Sequence, residues 1–216
     1  RDELRRALRR RGEHRDPGGA GQGHRALALG GADAPGGRAS GRDAEGASEL
    51  EAELLELGAK VVDIAACDVA DHDALARTLS ALPNDRPLTA VFHVAGLLDD
   101  ALVSNLDVEQ LERVLRPKID GAWNLHALTE HLHLSAFVMF SSAAGILGNA
   151  GQANYAASNT YLDALAYLRR AAGLPAHSLA WGLWTEGGMI AHLGDAELAR
   201  LRRSGIRALS IAQGME

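Results

Sequence analysis

From residue 48 onward, short continuous apolar runs exchange with longer stretches in which Leu and Val recur at every third or fourth position. The short runs are Val61-Val62-Asp63-Ile64-Ala65-Ala66, Thr89-Ala90-Val91-Phe92-His93-Val94, Phe137 to Phe140, and Ala176-His177-Ser178-Leu179-Ala180-Trp181. Runs apolar on both faces predict strands of a parallel sheet covered by helices on each side. Between them, Leu50, Leu54, Leu55 and Leu57 predict a helix that Ser48 and Glu51 open as a capping box and Gly58 ends. Leu75, Leu79 and Leu82 predict a second, opened by Asp71 or Asp73 and ended by Pro83. Val108, Leu111, Val114 and Leu115 line one face of a third, with Ile119 and Trp123 further along, and a fourth runs from about Gln152 to Ala172. Strict alternation of strand and helix predicts an open, doubly wound α/β sheet. Right-handed crossovers then place every strand C-terminus, and with them the site, along one edge.

Residues 1–47 break the pattern. They contain no Val, Ile, Thr, Phe, Tyr or Trp, yet hold half of the arginines and nearly half of the glycines. Arg1 to Arg11 predicts a short charged helix, and Pro17 to Gly46 predicts coil, with too little apolar area to offset its ordering entropy. A low-complexity linker is one reading; a misread coding frame or a lost segment is the other. The chain begins at Arg1 rather than Met, as expected of a piece of something longer.

Composition narrows the function. A net charge of −6 argues against a nucleic-acid partner. The single cysteine, Cys67, permits no disulfide framework and fits a reducing cytosol; it is expected in the core. No apolar run approaches the roughly 20 residues of a membrane span, and the basic N-terminus lacks the apolar stretch of a secretory signal. His126, His131 and His133 do not share a helix face at ligand spacing, so no metal site is expected.

The candidate chemistry centres on hydroxyls. Ser142 closes the run that begins at Ala136, at a strand C-terminus. Tyr155 follows thirteen residues later, and Asn159 lies four beyond it, on the same face of a helix. A tyrosine ionises near pH 10, so it moves a proton at neutral pH only with electrostatic help. Lys118 is the candidate source, one of only two lysines in an arginine-rich chain.

Six stretches carry a specific resemblance. They are Ala66-Cys67-Asp68-Val69-Ala70-Asp71, His93 to Asp100, Leu115-Arg116-Pro117-Lys118, Phe140 to Gly145, Gly151 to Asn159, and Ala180-Trp181-Gly182-Leu183-Trp184. From about Gly58 to its end the chain resembles the ketoreductase domain of a modular type I polyketide synthase, within the short-chain dehydrogenase/reductase superfamily. That resemblance implies a Rossmann-like fold and reduction of a β-ketoacyl thioester, carried on the phosphopantetheine arm of an acyl carrier protein, by NADPH. Other domains of the same synthase are the implied neighbours. It further implies that Tyr155 donates the proton, Ser142 hydrogen-bonds the ketone oxygen, Lys118 assists the tyrosine, and Asn159 holds the proton relay. Asp68, Val69, Ala95 and Gly96 fall at cofactor positions.

Leu98-Asp99-Asp100 resembles the fingerprint of B-type members, which give the D-configured alcohol. Leu147 stands where the opposite type has tryptophan, and Ala157 where epimerising members have proline. Ala150 replaces a proline common in B-type loops. The implied first strand and its phosphate-cradling glycine turn are not found: no strand precedes Gly18 to Gly23, and Gly30 to Gly37 lacks the expected arginine. The expected organisation is an aberrant or low-complexity segment over 1–47 and a ketoreductase-like catalytic region, truncated at its C-terminus, over 48–216. A non-catalytic remnant of such a domain, unable to bind cofactor, is the alternative. Trp181 and Trp184 are expected to pack near the substrate mouth, and Gly187-Gly188-Met189 to hinge a lid.

Overall fold

The structure is a computed structural model and describes residues 24–30, 41–43, 46–185 and 208–214. The glycine-rich stretches at 18–23 and 31–37, the charged segment 1–11, Gly187-Gly188-Met189 and His192-Leu193-Gly194 lie outside the described residues. The chain divides into two compact units, the first reaching Asp68 and the second running from Val69 to Gly214.

In the first unit, β1 (His24–Gly30) pairs in parallel with β2 (Ala59–Ala66), with Ala26 opposite Val62 and Ala28 opposite Ile64. The coil expected over 17–46 is therefore corrected at 24–30. No residue of β1 is β-branched or aromatic; pairing with the Val- and Ile-rich β2 overrides its weak propensity. Helix α1 (Ala47–Glu56) joins the two strands and buries Ala47 and Leu54. The Ser48 capping box does not form. The N-cap is Gly46, with φ 78° and no side-chain cap, which leaves Ser48 inside the first turn.

The second unit opens with α2 (His72–Ser80). Asp71 caps it as expected, its Oδ1 accepting a 2.9 Å bond from the Ala74 N–H. A three-stranded parallel sheet follows in the order β3 (Ala90–His93), β4 (Ala136–Ser142), β5 (His177–Trp181). Between β3 and β4 runs α3 (Val108–Thr129), opened by a reciprocal capping box of Asp107 and Gln110. After β4 come the single turn α4 (Ala144–Leu147) and the long α5 (Ala153–Ala171); α6 (Ile211–Gly214) is a further short turn.

Burial alternates strictly along β4: Phe137, Met139 and Ser141 are buried, and their neighbours half-buried. Phe137, Met139, Val114 and Leu162 form the fully buried heart of this unit. Each such large side chain contributes about 1.5–3 kcal/mol relative to leaving it exposed. Arg169 of α5, only 1% exposed, stacks 3.8 Å from the Phe137 ring centroid and hydrogen-bonds His126 Nδ1 of α3 at 2.9 Å. That contact locks α3 to α5 over the central strand, so side chains from both helices converge at the C-terminal end of β4.

Candidate active site

Lys118 sits on the buried face of α3, one turn beyond Val114, and is 2% exposed. Its Nζ donates a 2.8 Å hydrogen bond to the Phe140 carbonyl of β4 and stands 5.7 Å from the centroid of the Tyr155 ring. Burial pushes its pKa down to about 8, with the Asp163 carboxylate opposing the shift. Tyr155 lies in the first turn of α5 and is 9% exposed. Asn159, one turn on and fully buried, donates from Nδ2 to the Tyr155 carbonyl at 2.7 Å. Its Oδ1 has no hydrogen-bond partner among the described residues. Ser142 ends β4 as expected; its Oγ accepts from the Ala144 N–H at 3.2 Å. The adjoining Ser141 is buried and donates to the Asn159 carbonyl at 3.2 Å, which pins the end of β4 to α5. Lys118, Tyr155 and Asn159 thus stand together beside the end of β4, where Ser142 is bonded to the Ala144 N–H of α4 and Ser141 is the serine tied to α5.

The Leu98-Asp99-Asp100 loop is clasped from two sides. The Gln110 amide (2.9 Å) and the Arg113 guanidinium (2.8 and 2.6 Å) bind the Asp99 carboxylate and hold its pKa below the usual range. Asp100 accepts from Gln152 at 2.8 Å, and Ala101 N–H donates to the Gly151 carbonyl at 2.9 Å. Asn154, 1% exposed, joins the two sides: its Nδ2 donates to the Asp99 carbonyl and its Oδ1 accepts from the Tyr155 N–H. Leu98 is half-buried. Leu147, 74% exposed on α4, makes no part of this clasp.

Of the expected cofactor residues, Asp68 closes the first unit and Val69 opens the second. Val69 is tied to α3, its carbonyl accepting from Asn124 Nδ2 at 3.1 Å. Ala95 and Gly96 follow β3 directly, Gly96 being exposed and Val94 before it 57% exposed. His93, at the end of β3, is 2% exposed; desolvation, then the Lys118 charge, lower its pKa to about 4, while hydrogen bonding to the backbone of Lys118 and Pro117 partly opposes this. It is therefore neutral beside Lys118 at ordinary pH. Trp181 and Trp184 pack against each other, ring centroids 4.8 Å apart and planes inclined by 50°.

His93, Arg113, Gln110, Asn154 and Asp163 carry no role in the sequence reading. Arg113 binds a carboxylate 14 residues away across a loop, a pairing that no local spacing announces. Asp163 was findable, since it continues the four-residue spacing of Tyr155 and Asn159 along one helix face.

A parallel α/β unit that brings a lysine, a tyrosine and an asparagine together at one strand end holds the groups that proton delivery to a carbonyl oxygen requires. The family model of the KR domain matches residues 20–186, and the chain belongs to that family, the ketoreductase domains of polyketide synthases. It is 57% identical over 177 residues to the polyketide synthase GfsB of Streptomyces halstedii, a match covering 82% of this chain and 3% of that protein. It is 55% identical over 177 residues to the mycoketide-CoA synthase of Mycobacterium tuberculosis, covering 82% of this chain and 4% of the other. Among solved structures it resembles that of A-type ketoreductases from a modular polyketide synthase, with TM-score 0.78, 46% identity, and coverage of 95% of this chain and 40% of the other. The chain therefore spans a few per cent of the length of the synthases it matches. No helix among the described residues is long and apolar enough to cross a membrane.

Proposed function

We propose that this chain reduces the β-ketone of an acyl thioester, presented on the phosphopantetheine arm of an acyl carrier protein, to the β-hydroxyacyl thioester with NADPH as reductant. One observation carries the reading: a buried ammonium, Lys118, anchored on the Phe140 carbonyl and facing the Tyr155 ring. An ammonium in that position favours the charge left on the phenol oxygen when its proton departs.

NADPH, when bound, supplies the hydride that adds to the β-carbon. As the carbonyl π electrons move to oxygen, Tyr155 gives its phenol proton to that oxygen. Ser142 donates a hydrogen bond to the same oxygen and stabilises the developing charge. The buried Oδ1 of Asn159, without a hydrogen-bond partner among the described residues, is the acceptor for the relay that reprotonates Tyr155. The backbone just after β3 is open to an extended ligand, since Gly96 is exposed and Val94 is 57% exposed. Ala95 and Gly96 there, and Asp68 and Val69 after β2, are the residues assigned to hold NADPH. Other domains of the same synthase are its proposed neighbours, in the cytoplasm.

Leu98-Asp99-Asp100 and Leu147 support the B type and a D-configured alcohol, and Ala157 supports no epimerisation. Two measurements test the reading together. NADPH fluorescence titration is expected to give micromolar binding, and chiral analysis of the product from a β-ketoacyl pantetheine thioester is expected to give mainly the D-alcohol. A folded chain that does not bind NADPH is the non-catalytic remnant instead. A mainly L-configured product would overturn the B-type assignment.

A further inference from the structure

A β-carbon built at residue 96 would lie 2.7 Å from Cε of Lys118, 3.3 Å from its Nζ and 3.6 Å from its Cδ. Real β-carbons do not approach other atoms within 3.0 Å, so the lysine stem fills the space that any side chain at 96 would take. Gly96 is not among the glycines with positive φ, so its backbone would accept alanine without strain. The atoms in the way are the far end of a flexible side chain, so the lysine, not the strand, is what would move. Among the described residues one hydrogen bond holds the Lys118 Nζ, that to the Phe140 carbonyl.

We infer that Gly96 is a positioning residue for Lys118: the missing β-carbon at the end of β3 lets the lysine stem cross to the Phe140 carbonyl and sets where its ammonium stands relative to Tyr155. This goes beyond a glycine that merely lets the cofactor approach, and its consequence for turnover rests on the reductase reading above. The groups facing the ammonium are His93 of β3 and Tyr155 and Asp163 of α5, Asp163 itself accepting a hydrogen bond from Ser178 of β5. Gly96→Ala pushes the stem out of this setting and toward solvent.

The chain has two lysines, Lys60 and Lys118, so lysine-selective 13Cε labelling gives two NMR signals, with Lys60 as internal reference. In Gly96→Ala the Lys118 signal is expected to shift and its titration midpoint to rise from about 8 toward the ordinary lysine value, with Lys60 unmoved. An unchanged Lys118 signal and midpoint in the folded variant would overturn the inference. This readout needs no turnover, so an inactive chain would defeat the proposed function and leave the inference testable. In an active chain, Gly96→Ala is expected to lower kcat by roughly ten- to a hundredfold, and to have no further effect when Lys118 is already alanine. A loss of the same size in both backgrounds contradicts it. Should Gly96→Ala fail to fold, Gly96→Ala/Lys118→Ala is expected to fold and melt where Lys118→Ala does; an unfolded double variant rejects the inference.

Discussion

Lys118 is the residue on which the proposed chemistry turns, because it is buried, charged at neutral pH, and aimed at the tyrosine. Its proton is lost near pH 8 in the folded chain and near 10.5 in the unfolded one. Between those values the unfolded chain holds the extra proton, so stability rises as pH climbs through the window. The cost of burying the ammonium is fully present below pH 8. Activity moves the other way, falling as pH rises past about 8 and the ammonium neutralises. Melting temperature and kcat measured from pH 7 to 10.5 check both slopes. In Lys118→Met the part of the stability rise due to this group should vanish and kcat should be low throughout. A kcat that stays constant through pH 9 would remove Lys118 from the proposed role.

Helix α3 is the element that assembles the site. Its first turns bind the Asp99 carboxylate through Gln110 and Arg113, its middle supplies Lys118, and its later turns hold Val69 through Asn124. Gly121 makes that last contact possible: a β-carbon there would sit 2.7 Å from Val69 Cγ2 and 3.2 Å from His93 Cε1. Unlike the lysine stem at Gly96, a valine methyl on a short stem and a buried imidazole have little room to give. Gly121→Ala is therefore expected to destabilise the fold by about 1–3 kcal/mol, the usual cost of overpacking, read from the denaturation midpoint. No loss of stability would mean that α3 tolerates a shift away from β3.

At the scale of the whole chain, β1 belongs with β2 although composition predicted coil there. The proposed boundary between residues 47 and 48 separates these two strands. A chain shortened to begin at 48 is expected to lose amide exchange protection across β2, at Val61 to Ala66; unchanged protection would mean that β1 adds nothing to β2. The three strands and the long helices of the second unit were legible in sequence because their signals are local: Asp71 before a leucine-spaced helix, continuous apolar strands, Tyr155 and Asn159 one turn apart; the short turns α4 and α6 were not. What stayed hidden depends on contacts between distant segments. β1 forms through its partner's propensity rather than its own, Gly46 takes the cap that Ser48 seemed suited to, and the Asp99 clasp closes over a loop. Lys118, Ser142, Tyr155 and Asn159 were named from local spacing and the resemblance, but the clearance at Gly96 beside the Lys118 stem was not. Turnover of a β-ketoacyl pantetheine thioester by the chain and by Tyr155→Phe shows whether Tyr155 delivers the proton in an NADPH-dependent ketone reduction. Measurable reduction by the chain is expected, with a loss of at least about a hundredfold in kcat when the phenol proton is removed; equal rates in the two, or no reduction by a folded chain that binds NADPH, would rule out that role.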